Sequence, residues 1–247
     1  MSNATDTPDT ASGTGTSTGT GTDAGTGATA GSSTYARTPR TTPTRYKDRA
    51  TWEQEAIHAI LDSAYICHLG FVADGAPVVL PTIFARVGSR LYVHGSTGSR
   101  PLRGASGEQG LPVCVTVTQV DALVLTKSAF NHSVNFRSVV AHGTAYQVTD
   151  PEELDVALAA LVDHAIPGRS AEVRPANPKE LAATAVIRLE LDEVSAKTRA
   201  DGAADDPEDA DLPYWSGLIP VSTVHGTPEP HPGSTVPLPA HLRGYPR

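Results

Sequence analysis

The stretch Leu91-Tyr92-Val93-His94-Gly95-Ser96-Thr97-Gly98-Ser99-Arg100-Pro101-Leu102-Arg103 contains the residue types that hold an anion. Its apolar beginning predicts the end of a strand, and its hydroxyls and glycines predict a tight turn. A short helix is expected to start near Ser99, with Pro101 in the first turn, where its missing N–H would have been unpaired anyway. Free amides, hydroxyls and the guanidinium of Arg100 at such a start suit a phosphate. Charge-assisted hydrogen bonds contribute roughly 1.5–3 kcal/mol each, so three or four would anchor a dianion. An ordinary polar turn has the same composition, and spacing alone leaves both readings open.

A second stretch, Ser128-Ala129-Phe130-Asn131-His132-Ser133-Val134-Asn135-Phe136-Arg137-Ser138-Val139-Val140, gathers polar and aromatic residues where a strand begins. Arg137 is placed either to meet a ligand or partner subunit, or to pair with a surface carboxylate. His94 and His132 raise the question of a metal, but neither belongs to a close ligand set, and no H-E-x-x-H occurs. No metal site is expected. His68 reads as the outward face of a strand. No G-x-S-x-G elbow occurs at a strand-to-helix junction, and nothing in the spacing selects a Ser/His/Asp triad. Cys67 and Cys114 lie in apolar runs without a C-x-x-C pair, which predicts buried, reduced thiols.

The elements that must position these residues are mostly strands. Thr51-Trp52-Glu53-Gln54 fits a capping box opening a helix through Ile57, Ile60 and Leu61. Tyr65–Ala73 runs into the turn signal Asp74-Gly75 and returns through Pro77–Arg86. Further strands are expected at 91–94, 113–120, 122–127, 133–148 and 185–194. Pro151 opens an amphipathic helix carrying Leu154, Leu158, Leu161 and Val162. Short, evenly spaced strands joined by hairpins predict a mainly β, α+β domain built as an antiparallel barrel with a few flanking helices. A G-x-G-x-x-G dinucleotide fingerprint is absent from every strand-to-helix junction.

Composition sets the limits of that domain. Of 247 residues 39% are hydrophobic, below the usual ~45–50%. Residues 1–44 form a Thr/Gly/Ser-rich tract without Leu, Ile, Val, Phe or Trp, and this tail is expected to be disordered. Residues 226–247 are Pro-rich, which leaves 45–225 as one domain of ordinary size. The net charge of -8 gives no basic field for nucleic acid. Six carboxylates without a base fall within 201–211, a solvated acidic loop, so the rest of the chain is close to neutral. No secretory h-region, transit-peptide composition or membrane span is visible, and a soluble, cytoplasmic protein without membrane partners is expected.

Eight short motifs occur in order: Asp48-Arg49-Ala50, Cys67-His68-Leu69-Gly70-Phe71, Pro81-Thr82-Ile83-Phe84-Ala85-Arg86, Val93-His94-Gly95-Ser96, Ser133-Val134-Asn135-Phe136-Arg137-Ser138-Val139, Pro167-Gly168-Arg169, Glu193-Val194-Ser195-Ala196-Lys197 and Trp215-Ser216-Gly217. Together they resemble the flavin-nucleotide-binding, pyridoxamine 5'-phosphate oxidase-like proteins, in the branch that includes nitroimidazole-resistance proteins. The resemblance covers about residues 45–225. It implies a split β-barrel homodimer with FMN at the subunit interface. It places Leu80, Pro81 and Thr82 beside the isoalloxazine ring and His94, Gly95, Ser96, Ser99 and Arg100 at the phosphate. It also aims Arg137 at the cofactor and lets Trp215 cover the ring from the partner chain.

The sequence departs from authentic pyridoxamine 5'-phosphate oxidases at two points. Pro101 follows the Ser-Arg pair where those enzymes carry Lys, and Ser216-Gly217-Leu218-Ile219-Pro220 follows Trp215 in place of an Arg-x-His substrate motif. Both departures argue against vitamin B6 oxidation. The expected activity is an FMN-dependent oxidoreductase acting on a small molecule, with no residue singled out as catalytic acid or base. The alternative is a haem- or flavin-binding carrier of the same fold without turnover, with His68, His94 and His132 as possible axial ligands. A deazaflavin could use the same barrel.

Overall fold

A computed structural model describes residues 33–243 and Tyr245. In chain order the elements are β1 (Ala50–Thr51), α1 (Gln54–Asp62), β2 (Ile66–Ala73), β3 (Ala76–Val87), β4 (Arg90–Ser96), α2 (Arg100–Gly104), β5 (Leu111–Leu125), β6 (Ser133–Gln147), α3 (Pro151–Ala165), α4 (Pro178–Ala183), β7 (Thr184–Glu190), β8 (Glu193–Arg199) and β9 (Gly217–Pro220). Every pairing between strands is antiparallel. The strand order is β1-β8-β6-β7-β4-β3-β2-β5-β9, and a further β5–β6 pairing joins the two ends of the run from β6 to β5. Six strands therefore close on themselves as a split β-barrel, with β1, β8 and β9 as extensions. The hairpin signal at Asp74-Gly75 is realised with both residues at positive φ, 53° and 76°, as a tight right-twisted hairpin demands.

Alternation fills the barrel. In β2, Cys67, Leu69 and Phe71 point inward and are buried, while Ile66, His68 and Val72 point outward and are exposed. Helix α1 seals the interior with Ile57, Ile60 and Leu61. A second, smaller core forms where Ala157 of α3 meets Tyr92 and Val186. There the Glu153 carboxylate, only 13% exposed, accepts hydrogen bonds from the Tyr92 hydroxyl (2.8 Å) and the Arg188 guanidinium (2.6 Å). Asp150 and Pro151 start α3 as its sequence predicts, with the Asp150 side chain accepting the Glu152 amide. Burial pushes the Cys67 thiol up to about 12 and raises Cys114 as well, and both cysteines are free thiols.

Several local expectations are corrected. The Thr51–Gln54 capping box does not form. Thr51 belongs to β1, which pairs with β8, and Glu53 stands at the N-cap of α1 without a side-chain cap. The bridge Thr34↔Glu53 and the bond from Ser33 Oγ to Gln54 Oε1 occupy the groups that the box needed. The two strands expected at 113–120 and 122–127 are one strand, β5, bulged between Val120 and Ala122. The single strand expected at 185–194 is two strands, β7 and β8, which do not pair with each other but flank β6 and both pair with it. Helix α4, not anticipated, carries a true capping box between Asn177 and Glu180.

Of the tail expected over residues 1–44, residues 1–32 lie outside the described residues. Tyr35 is in the core, and Thr41 is buried and accepts a hydrogen bond from the Trp52 indole (3.1 Å), so packing reaches to the tail side of residue 45. At the other end, the His225 ring contacts Tyr245, whose hydroxyl donates to Ala165 O. Among the described residues no helix is long and apolar enough to cross a membrane.

Candidate functional site

Two places of different construction, a turn and a cavity, hold most of the candidate residues. The first is the turn between β4 and α2. β4 ends at Ser96, whose hydroxyl accepts the Gly98 amide (3.2 Å) and whose carbonyl accepts the Ser99 amide (2.9 Å). Leu102 of α2 packs onto β4 at Gly95, where an added Cβ would lie 3.2 Å from it and 3.6 Å from Ser99 Oγ. Glycine at 95 is thus what lets the helix close over the strand. Ser99 is the N-cap residue, Arg100 the first residue of α2, and Pro101 lies in the first turn as expected. With five residues, α2 has little macrodipole to offer, so side chains must supply the recognition.

Those side chains are poised for a partner. His94 Nδ1 and Ser99 Oγ are buried and make no hydrogen bond among the described residues. Leaving such groups unsatisfied costs about 1–3 kcal/mol each, a cost that a bound ligand would relieve. The Arg100 guanidinium stands 64% exposed, 3.9 Å from the carboxylate of Asp74 at the β2–β3 hairpin. A pair that open is worth little and leaves the cation available.

From that hairpin β3 carries Leu80, Pro81 and Thr82. In register, Pro81 lies opposite His68, Val79 opposite Gly70, and Ile83 opposite Ile66. Directly paired residues share a face, so a flat outward platform forms from Val79, Pro81, Ile83, Ile66 and His68. Val79 is 61% exposed.

The second place, a cavity of about 610 Å³, lies at the far end of β2. Its walls come from residues 63–66, from 118–121 of β5, from Arg137 of β6 and from 221–225 beyond β9. Arg137 is held by Asp121 through both carboxylate oxygens, at 2.8–3.2 Å, and this pairing pushes its guanidinium pKa up. Asp121 is the residue skipped by the bulge in β5, and its carbonyl accepts the Val221 amide (2.9 Å). The Tyr65 hydroxyl and His225 Nε2 lie 2.7 Å apart and fasten the C-terminal strap.

The structure therefore groups His94, Gly95, Ser96, Ser99 and Arg100 in one turn, beside the hairpin that leads to Leu80–Thr82. Arg137 sits in the separate cavity. Trp215 precedes β9, its ring against Gly217, where a Cβ would fall 2.7 Å from it. His132 serves its own turn, with Nδ1 3.0 Å from Ser128 O. The acidic loop docks on the β5–β6 turn: Asp205 accepts the Lys127 amide (2.7 Å) and Asp206 accepts from the Asn131 amide group (3.0 Å). Hydrogen bonds from Ser216 and then Lys127 hold the Asp205 carboxyl below its usual range. Sequence reasoning missed Asp121, Tyr65, Ser222, Thr223 and His225. The one local signal was the interruption of alternation at Asp121.

Comparison with known proteins supplies the wider context. Residues 53–198 match the family described as pyridoxamine 5'-phosphate oxidase. Among solved structures, the flavocytochrome Anf3 from Azotobacter vinelandii is 38% identical, with a TM-score of 0.76 over 83% of this chain and 95% of that one. The FAD and haem binding protein from Mycobacterium smegmatis is 35% identical, with a TM-score of 0.74 over 79% of this chain and 98% of that one. A protein described as a 5-nitroimidazole antibiotic resistance protein, from Bacteroides thetaiotaomicron, shares the fold at 19% identity and a TM-score of 0.50, covering 60% of this chain and 85% of that one. No curated protein matches. By the matched residues and by these two long, well-covered likenesses, the chain belongs to the pyridoxamine 5'-phosphate oxidase family.

Proposed function

We propose that this protein is a flavin-dependent oxidoreductase that holds the flavin phosphate at the β4–α2 turn and the ring along β3. The observation that carries the reading is the pair of buried, unpartnered polar atoms, His94 Nδ1 and Ser99 Oγ, beside the exposed Arg100. Ser96 and Ser99 would donate to phosphate oxygens, Arg100 would neutralise their charge, and Leu80, Pro81 and Thr82 would line the ring. When bound, the flavin supplies the hydride and electron chemistry, and the chain orients it and excludes water. FMN is the flavin proposed for this turn. The Mycobacterium smegmatis neighbour binds FAD, which carries the same first phosphate.

The homodimer with the cofactor at its interface belongs to this proposal. Its support is the outward platform, where Val72 is 64% and Val79 61% exposed, more apolar surface than a strand pair usually leaves in water. A small organic molecule is the expected substrate, and Trp215 would cover the ring from the partner chain.

A second reading, haem binding without turnover or together with a flavin, is favoured by His68. It stands exposed at the centre of the apolar platform, opposite Pro81 and Thr116, and both well-covered neighbours are described as haem or cytochrome proteins. The absorption spectrum of freshly purified protein, with mass identification of what denaturation releases, tests both. A yellow protein releasing FMN or FAD supports the first. A Soret band lost in His68→Ala supports the second. A colourless protein that refuses added flavin and haemin overturns both.

A further inference from the structure

The motif Pro167-Gly168-Arg169 lies outside both the β4–α2 turn and the cavity under the strap, and it shapes the chain beyond α3. Ile166 ends the helix, and Gly168 then takes a left-handed backbone, φ 80°, to start the 3-10 turn Arg169–Glu172. From there residues 170–181 form an arch that faces α3. Polar groups clamp it at both ends. At the near end the Asp163 carboxylate accepts the Ser170 amide and the Ser170 hydroxyl, each at 2.7 Å. At the far end Arg174 donates to both oxygens of Glu180 (2.8 and 2.6 Å), which also accepts the Asn177 amide in the capping box (2.9 Å).

Between the clamps the arch does not close on the helix. A cavity of about 620 Å³ separates the two, within the range of small-molecule sites. Asp155, Leu158, Ala159 and Val162, at i, i+3, i+4 and i+7, form its floor as one stripe of α3. Ala157 and Leu161, which α3 buries, belong to a different face. Val173, Pro175 and Leu181 line the cavity from the arch. Val162 and Val173 remain 39% and 41% exposed, apolar surface that the fold leaves uncovered. The charges around this space do not balance. Arg174 and Glu180 neutralise each other, and Asp163 is taken up by Ser170. Asp155, exposed at the N-terminal end of the stripe, makes no hydrogen bond or ion pair among the described residues. An apolar interior with one uncompensated carboxylate at its edge suits an apolar body that carries a positive charge at one end.

We propose that the space between α3 and the 170–181 arch is a binding site for a small hydrophobic amine. The body of the molecule would lie among Leu158, Val162 and Leu181, with its ammonium group at Asp155. No residue of this site belongs to the β4–α2 turn, to the platform around His68 or to the cavity under the strap. The site requires neither a flavin nor a second copy of the chain, so it stands apart from the function proposed above.

Calorimetric titration of the full chain with 4-phenylbutylamine, 4-phenylbutan-1-ol and 4-phenylbutanoate tests it, because the three share one body and differ in the charge at one end. The amine is expected to bind about threefold more tightly than the alcohol, as an exposed carboxylate allows, and the acid more weakly than either. Asp155→Asn should bring the amine down to the alcohol and leave the alcohol unchanged. Ala159→Phe fills the floor and should remove all three, with the circular dichroism of the chain unchanged. Ala176→Trp, at an exposed position of the arch, gives the same reading from the opposite wall if the helix variant fails to fold. Arg100→Ala should alter none of these affinities. Alcohol that stays bound in a folded filling variant would overturn the site, as would failure of all three to bind up to their solubility. An amine preference that survives Asp155→Asn would overturn the role of that carboxylate. Displacement of the probes by added FMN would place them at the flavin turn and overturn the proposal while leaving the flavin reading intact.

Discussion

The β4–α2 turn and the cavity under the strap both present an arginine, yet they use it in opposite ways. Arg100 is exposed and loosely paired over hydroxyls with nothing to bind, whereas Arg137 is clamped by a bidentate carboxylate inside a wall. An arginine kept free beside unsatisfied groups is what the proposed phosphate site requires. One already neutralised by Asp121 shapes a recess and tethers the strap above it. The sequence gives both residues the same initial standing, and only their partners separate them.

The contrast can be broken most severely at Leu102. Leu102→Ala removes a side chain 3% exposed, and such truncations cost about 2–5 kcal/mol. The loss should release α2 from Gly95 and abolish flavin retention, while the Arg137–Asp121 pair keeps the strap in place. Thermal unfolding with a flavin titration checks this. Arg100→Ala comes next: flavin affinity should fall by roughly 1.5–3 kcal/mol, about ten- to a hundredfold in Kd, with stability unchanged. Unchanged flavin affinity in that variant would move the phosphate elsewhere.

Asp121→Asn sharpens the comparison from the other side. The pair is more than one-third exposed, so its loss should cost about 1 kcal/mol or less. It should also tighten anionic probes in the cavity, because Arg137 is then freed to meet them. The smallest effect lies at α4, where Arg174 and then the Asn177 amide lower Glu180 from 4.5 to about 2. A depressed carboxyl stabilises the fold above its unfolded pKa and loses that contribution as pH falls through its folded value. Amide protection in α4, taken against the intrinsic exchange rate at each pH, should therefore fall between pH 4.5 and 2, ahead of the barrel.

The legible parts of this protein are those whose partners lie close in sequence. Asp74-Gly75 announced its hairpin because positive φ at both positions is a local requirement. Pro151 after Asp150 announced α3, and Ser99-Arg100-Pro101 announced the start of α2. The capping pattern at Thr51–Gln54 was equally local and failed, because β8 and residues 33–34 compete for the same groups with a full strand pairing and a bridge. Asp121 could be noticed as a break in alternation but not as a partner for Arg137, which lies sixteen positions along the chain across a register shift.

Composition and local pattern by themselves determined a mainly antiparallel β domain, its helices α1 and α3, and a hydroxyl-rich turn at the start of α2. Closure of β6 onto β5 was decided only by tertiary structure, as were the outward platform around His68 and the cavity walled by four distant segments. The physical reason is the reach of each interaction. Backbone dihedral preferences and capping act within about four residues, whereas strand register and ion pairing act through space on whatever the closed sheet brings together.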